Sequence, residues 1–171
     1  MLKKIAMAAF MLISTNVFAL GGDVFISRIT DTDNVLLSRS ILTFHKDGTL
    51  IGSDSNQQGT EAFVPFGIEQ GYWKKHDDVV RIKVVDFTYP RFITIDWPLG
   101  SVEDQQIAIL TGELTKSGGS SSSSSSSESH YSGDLFISFF PLNADINDPT
   151  FPGSSGPFPA GHIDLTYIEK P

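Results

Sequence analysis

Acidic side chains on or near predicted strands are the groups of this chain best placed for acid–base chemistry. Four of them stand out: Glu69, Asp86, Asp96 and Asp164. A carboxyl group that points into the interior of the fold would have a raised pKa and could act as a general base. The strand pattern does not show which of the four points inward. Catalysis therefore stays one alternative, and no catalytic residue is assigned.

Covalent catalysis is not indicated by the residues of this chain. The sequence has no Cys, which excludes thiol nucleophiles, thiolate zinc sites and disulfides. Serines are abundant, but no G-x-S-x-G motif of a serine hydrolase occurs. The sequence also lacks a Gly-rich loop that could hold a phosphate group. We expect no cofactor.

Metal binding has only weak support in the sequence. No two of the four histidines have the spacing of a metal-binding pair: His45, His76, His130 and His162. Asn143, Asp145 and Asn147 are spaced like the first ligands of a calcium loop. However, Asp148 stands where such a loop has Gly, and Ser154 stands where it has Glu. Asn and Asp are common in turns without a metal, so we expect no metal site, and weak Ca²⁺ binding at 143–148 stays open.

The chain length and charge limit the kinds of partner. With 171 residues, the chain has about the length of one domain. It has 20 Asp and Glu against 12 Lys and Arg, which gives a net charge of −8. Such a protein repels phosphate groups, so we expect no nucleic-acid partner. The sequence does not identify a protein partner.

The first 19 residues have the pattern of a secretory signal peptide. Lys3 and Lys4 precede an apolar run at 5–13, and Val17 and Ala19 occupy the positions before an expected cleavage site. The apolar run is too short for a retained membrane anchor, which needs about 20 residues. We therefore expect cleavage before Leu20, a mature domain over 20–171, and a periplasmic or extracellular location without membrane insertion.

The mature chain alternates apolar and polar residues with period two. Ile93, Ile95 and Trp97 are one example, and Ile163, Leu165 and Tyr167 are another. The pattern changes phase between Val84 and Val85, which indicates either a β-bulge or a strand covered on both faces. No window of 11 or more residues predicts an amphipathic helix. The sequence therefore predicts an all-β fold.

Turn signals divide this domain into about eight strands. The predicted strands are 24–29, 36–45, 49–53, 70–75, 79–88, 105–115, 133–140 and 162–168, and 92–97 either forms an extra strand or extends a hairpin. The turns at 46–48 and 76–78 are short enough for hairpins. Sequential hairpins form an antiparallel up-and-down meander, which can close into a barrel without free edges. An eight-stranded barrel is filled by side chains or holds one small ligand.

Two segments interrupt the predicted strands. Residues 117–130 include eight consecutive serines, which cannot bury apolar surface and predict a disordered hairpin loop. Residues 141–161 contain five prolines together with Phe151 and Phe158. This second loop either covers a barrel mouth as a lid or fills one end of the barrel as a plug, and we favour the plug.

Two motifs resemble those of a known family. The run Leu42-Thr43-Phe44-His45-Lys46-Asp47-Gly48-Thr49 is followed by Gly71-Tyr72-Trp73 in a second hairpin. This arrangement resembles small exported bacterial lipocalin-like (calycin-type) barrel proteins, which are largely uncharacterised. The Gly-x-Trp motif lies in the middle of the chain, whereas lipocalins have it at the first strand. The resemblance implies a lipocalin-like barrel that binds a ligand.

The strand number, the aromatic content and this resemblance together predict an exported binding protein. Its ligand would be a small apolar or amphipathic molecule held inside the barrel. The candidate lining residues are Leu42, Phe44, Trp73, Ile82, Phe87, Ile109, Phe139 and Tyr167. One alternative is a structural or interaction module with a filled barrel that acts through its loops. Another is a barrel-type cyclase or isomerase, which would require an inward carboxylate beside a cavity.

Overall fold

The computed structural model describes residues 21–59, 65–89, 105–117 and 130–169. Nine β-strands occur in these ranges: β1 (Asp23–Thr30), β2 (Leu36–Ser38), β3 (Ser40–Phe44), β4 (Thr49–Asp54), β5 (Glu69–His76), β6 (Val79–Thr88), β7 (Gln106–Ser117), β8 (His130–Pro141) and β9 (Ser155–Tyr167). No helix that could cross a bilayer occurs in these ranges. The predicted signal peptide at 1–19, the optional strand at 92–97 and residues 118–129 of the predicted serine loop lie outside the described residues. The predicted loop bounds of 117 and 130 are corrected, because Ser117 and His130 pair with each other at the ends of β7 and β8.

Eight of the strands form a closed antiparallel barrel. Each strand from β3 to β8 pairs with the next one along the chain, and β1 pairs with both β3 and β9. The ninth strand, β2, pairs only with the end of β1, after a register shift between Ile29 and Thr30. The predicted all-β meander that closes into an eight-stranded barrel is therefore confirmed.

The strand predicted at 36–45 is divided into β2 and β3 by Arg39. Two serine hydroxyl groups accept hydrogen bonds from the backbone N–H groups at this point. The Arg39 N–H donates to Ser55 Oγ at 3.1 Å, and the Ser40 N–H donates to the buried Ser27 Oγ at 2.9 Å. Because these amides are satisfied by side chains, the strand is interrupted without leaving buried donors unpaired.

The proline-rich segment is partly strand, which corrects the prediction of a loop over 141–161. Only 142–154 forms turns, and β9 already begins at Ser155. Proline cannot donate a ladder hydrogen bond, so it is tolerated in a sheet at bulges. The β8–β9 pairing has register shifts after Leu135 and after Ile137, and Pro159 lies opposite Phe136 between them. These irregularities accommodate the prolines within the strand.

The β6 strand shows no bulge at Val84 and Val85. Its pairing with β7 is continuous from Val79 to Thr88. Its buried positions are consistently even-numbered, from Val80 to Thr88. The change of phase in the sequence reflects outward-facing apolar residues instead, because Val85 is half-buried on the outer face.

Aromatic side chains fill one end of the barrel. Phe25 lies at their centre, with edge-to-face contacts to Phe44, Tyr131 and Tyr167 at ring distances of 5.3 to 6.1 Å. Trp73 contacts Phe44 at 5.6 Å, and its Nε1–H donates to the His45 carbonyl at 2.9 Å. We call this the aromatic end. Because side chains fill the aromatic end, a binding site inside the barrel would have to lie at the opposite end.

Candidate functional site

A cavity of about 150 Å³ lies inside the barrel at the end opposite the aromatic end. Its apolar wall includes Leu110 on β7 together with Leu135, Ile137 and Phe139 on β8. Its polar wall is formed by Ser38, Asp54, Asn56, Glu69, Asp86 and Thr88. The volume is smaller than the roughly 300–1,000 Å³ of drug-sized sites, but an apolar cavity of about 150 Å³ can hold benzene. The cavity can therefore hold a small molecule only.

Three adjacent strands each supply one carboxyl group to this cavity. Asp54 ends β4, Glu69 begins β5, and Asp86 lies near the end of β6. Side chains alternate across a strand, and all three lie at positions whose side chains face the barrel interior. All three residues are more than nine-tenths buried, since the exposed fractions of Asp54, Glu69 and Asp86 are 9%, 8% and 5%. The cavity thus has an acidic side and an apolar side.

Two of these carboxyl groups are held by hydrogen bonds from the protein. Asp54 accepts from Ser40 Oγ at 2.7 Å and from the Asn56 N–H at 2.6 Å. Asp86 Oδ1 accepts from the N–H groups of Gly67 at 2.9 Å and Phe87 at 2.5 Å. These contacts fix the orientation of both side chains and satisfy part of their hydrogen-bonding capacity.

Glu69 differs from its two neighbours because no hydrogen bond reaches its carboxyl group within the described part of the chain. Burial, and to a lesser extent the charges of Asp54 and Asp86, together raise the pKa of Glu69 to about 7. Burial also raises the pKa of Asp86, although the hydrogen bonds from Phe87 and Gly67 oppose this effect. Glu69 therefore exchanges a proton near neutral pH, where both of its forms are populated.

Gly52 makes room for the Glu69 side chain. A Cβ atom at residue 52 would collide with Glu69 Oε2 and lie 2.9 Å from Leu42 Cδ2. Gly52 also pairs directly with Glu69 across the β4–β5 ladder. Since any larger residue would displace the carboxyl group, the position of Glu69 depends on the glycine opposite it.

A wider groove of about 620 Å³ adjoins the cavity. The two share Leu37, Leu135 and Ala160 as lining residues. The groove extends along the turn after β1 to the ion pair of His162 and Asp134, whose Nδ1 and Oδ1 atoms are 2.8 Å apart. Of the segment 141–161, only Ala160 lines the cavity and only Pro159, Ala160 and Gly161 line the groove.

Most of the candidate lining residues from the sequence pack away from this cavity. Five belong to or pack against the hydrophobic core: Leu42, Phe44, Trp73, Ile82 and Tyr167. Phe139 is the only one of the eight that lines the cavity. The structure thus brings the five together in the filled part of the barrel.

Phe87 and Ile109 lie on the outer face of the barrel. Phe87 is 50% exposed, because its odd-numbered position on β6 points away from the interior. Ile109 is only 5% exposed, yet it alternates with Ala108 and Leu110, which line the cavity. The outer face of β6 and β7 therefore also carries apolar side chains. For this reason, residue type alone does not show whether an aromatic or aliphatic residue of these strands points inward or outward.

The acidic residues selected from the sequence separate into different environments. Glu69 and Asp86 line the cavity, whereas Asp164 is a half-exposed residue whose carboxylate lies 3.9 Å from Arg28. Asp96 lies outside the described residues. Asp54 was not selected, because the predicted strand ended at residue 53. The continued alternation of Leu50, Gly52 and Asp54 was the signal that could have identified it.

No group of three or more His, Asp or Glu residues with metal-binding geometry occurs among the residues that the structure describes. In the proposed calcium loop, Asp145 Oδ1 accepts from the Asn147 N–H, and Asp148 Oδ1 accepts from the Thr150 N–H. Both aspartates thus stabilise turns.

No family model, curated protein or solved structure matches this chain. The function must therefore be inferred from the barrel and its cavity.

Proposed function

We propose that this protein binds a small amphipathic molecule in the cavity of its barrel. The observation that carries the proposal is the cavity of about 150 Å³, whose surface is mostly apolar with a small polar part. On the polar part, the buried Glu69 carboxyl accepts no hydrogen bond from the described residues, so a donor group of a ligand could bind it. A ligand with a polar group and a short apolar part matches both walls.

The cavity also favours a ligand-binding barrel over a filled barrel that acts only as a scaffold. The core residues fill the aromatic end, where Phe44 and Leu114 are fully buried. At the cavity end, the small side chains of Ala108 and Thr88 lie among larger ones and leave space between the strands. A barrel that served only as a scaffold would gain stability from filling this space, since a cavity costs stability in proportion to its volume.

The proposal is tested by recovering the bound molecule. The protein is purified without denaturation from the organism that encodes it, extracted with organic solvent, and the extract is analysed by mass spectrometry. We expect a small molecule to co-purify with the wild type at near-stoichiometric amounts. We expect it to be absent from Ala108→Leu, because the larger side chain would occupy the cavity.

A matched control separates blocking of the cavity from a general effect of the new leucine. Thr111 lies on the same strand as Ala108, but it is exposed on the opposite face. Thr111→Leu should retain the molecule. The absence of any molecule from the wild type, together with no binding of added benzene or 1-butanol, would contradict the proposal.

A second candidate function is proton-transfer catalysis, in a cyclase or isomerase. The observation that favours it is the buried Glu69 carboxyl that lines the cavity. Burial raises its pKa to about 7, and a general acid or base is most effective when its pKa lies near the working pH. In this case the extracted molecule should change on incubation with wild-type protein but not with Glu69→Gln. A molecule that is bound and released unchanged would exclude this candidate for that ligand.

The proposed location follows from the N-terminal sequence. We propose that residues 1–19 are removed on export and that the barrel is a periplasmic or extracellular relative of the lipocalin-like proteins. The pattern of Lys3, Lys4 and the following apolar run supports export. The eight-stranded meander supports the second part of this proposal. Mass spectrometry of the N-terminus of the mature protein would test the cleavage, which we expect before Leu20.

A further inference from the structure

We infer that the molecule bound in the cavity carries a cationic group, a protonated amine, which contacts Glu69 between Asp54 and Asp86. This inference rests on the proposed function and specifies the chemical class of its ligand.

The charges that line the cavity have one sign. Asp54, Glu69 and Asp86 all line it, and no Lys, Arg or His residue is found among the described lining residues. The two aspartates are the charged groups that face Glu69, from β4 on one side and from β6 on the other. An anionic ligand would be repelled by all three groups, whereas a cation would be attracted by each of them.

The hydrogen-bonding pattern identifies where the cation lies. The protein supplies donors to Asp54 from Ser40 and Asn56, and to Asp86 from Gly67 and Phe87. Glu69 is more than nine-tenths buried, lines the cavity, and receives no donor from the described residues. Buried carboxyl groups are normally paired, so Glu69 is the group that a ligand would complete.

An ammonium group fits this place better than a metal ion. Calcium requires six to eight oxygen ligands and magnesium a regular octahedron, whereas no metal-binding grouping of acidic residues occurs in the described ranges. An ammonium group does not need such a grouping: its N–H groups can donate to Glu69 alone, while Asp54 and Asp86 attract it through their charge. Its hydrocarbon part can contact Leu110, Leu135 and Ile137 on the apolar side.

The size of the cavity limits the ligand to a short amine. A volume of about 150 Å³ accommodates a molecule about as large as benzene, so a chain of about four carbon atoms can be enclosed. Longer amines would have to extend past Leu37 and Ala160, which line both spaces, into the adjoining groove.

The test compares three probes of nearly equal size and different charge: n-butylammonium, 1-butanol and butyrate. Their binding to wild-type protein at pH 8 is measured by isothermal titration calorimetry. We expect n-butylammonium to bind about tenfold to a hundredfold more tightly than 1-butanol, because hydrogen bonds to charged groups are the stronger ones. Butyrate should bind more weakly than 1-butanol.

A charge-removing variant and its matched control complete the test. In Glu69→Gln, the preference for n-butylammonium over 1-butanol should fall about tenfold or more, while 1-butanol binding changes little. Glu113→Gln makes the same chemical change at an exposed residue that pairs with Arg81, and it should retain the wild-type preference. The comparison of probes on wild-type protein does not depend on the folding of either variant.

The outcomes separate this inference from the proposed function. Binding of 1-butanol equal to or tighter than n-butylammonium, lost in Ala108→Leu, would overturn the inference but keep the proposed function. A preference for n-butylammonium that Glu69→Gln retains in full would also overturn it. No binding of any of the three probes would overturn the inference, and together with no binding of benzene and no molecule that co-purifies with the wild type it would contradict the proposed function as well.

Discussion

Replacing Glu69 by Gln should stabilise the protein more at pH 8 than at pH 5. The substitution preserves the size and polarity of the side chain and removes only its ability to ionise. In the folded protein the pKa of Glu69 is raised from its ordinary value of 4.5 to about 7, chiefly by burial. This difference corresponds to about 3 kcal/mol of stability, since one pKa unit is about 1.4 kcal/mol.

The direction of this effect follows from proton binding. The folded protein holds the Glu69 proton more tightly than the unfolded chain does, so between pH 4.5 and pH 7 folding takes up a proton. The wild type therefore loses stability as the pH rises through this window. Below the window both states are protonated and the substitution changes little. Above the window the wild type has a buried charge that the Gln variant lacks.

Urea unfolding followed by Trp fluorescence, in steps from pH 5 to pH 8, measures this effect. We expect the stability of Glu69→Gln relative to wild type to rise by about 2–3 kcal/mol across the range. Glu113→Gln should be within about 1 kcal/mol of wild type throughout, because its exposed ion pair with Arg81 contributes little. A constant difference between Glu69→Gln and wild type would refute the conclusion that Glu69 is a buried group without a partner.

The remaining predictions concern the barrel itself. Phe44→Ala should destabilise the protein by about 3–5 kcal/mol in urea unfolding, because Phe44 is fully buried. The control Ile51→Ala, at an exposed position on the outer face, should cost less than about 1 kcal/mol. Similar losses of stability in the two variants would contradict the assignment of the aromatic end. Trp73→Phe removes the donor to the His45 carbonyl and should lower the free energy of unfolding by about 1–3 kcal/mol. An unchanged urea unfolding midpoint would show that this hydrogen bond contributes nothing to stability. Replacing residues 118–129 with a short Gly-containing turn should leave the protein equally stable or more stable by up to about 1 kcal/mol, and a melting temperature lower by more than about 5 °C would contradict this.

The fold could be predicted to a large extent because a barrel meander is encoded locally. The inward positions of Leu42 and Phe44 follow from period-two alternation, and the tight turn at Asp47 and Gly48 is visible as a hairpin signal. In the structure Asp47 Oδ1 accepts from the Thr49 N–H at 2.9 Å, and Gly48 has a positive φ of 87°. Both features depend on residues that are near one another in sequence.

Features that depend on distant residues could not be predicted in this way. The division of 36–45 at Arg39 requires Ser27 and Ser55, which approach only when β3 pairs with β1 and with β4. The strand character of 155–161 requires the irregular pairing with β8. Composition favoured a loop there because proline is normally excluded from regular strands.

The site was predicted less well than the fold. Aromatic residues were expected around the ligand, but Phe44 and Trp73 pack against each other at the filled end. Glu69 and Asp86 were recognised as possible acid–base groups, yet only the pairing of β4, β5 and β6 shows that both face the same space as Asp54. Whether a barrel end is filled or hollow depends on the summed side-chain volume of several strands, which no single strand pattern reveals.

The most direct test of ligand binding inside the barrel is an NMR measurement of nuclear Overhauser effects between the methyl groups of the protein and bound n-butylammonium. We expect effects between the probe and the methyl groups of Leu110, Leu135 and Ile137, which line the cavity. No effects should reach Ile41 or Ile51, which are exposed on the outer face. Effects confined to these two outer isoleucines, or no effects to any methyl group at saturating probe, would contradict the assignment of this cavity as the binding site.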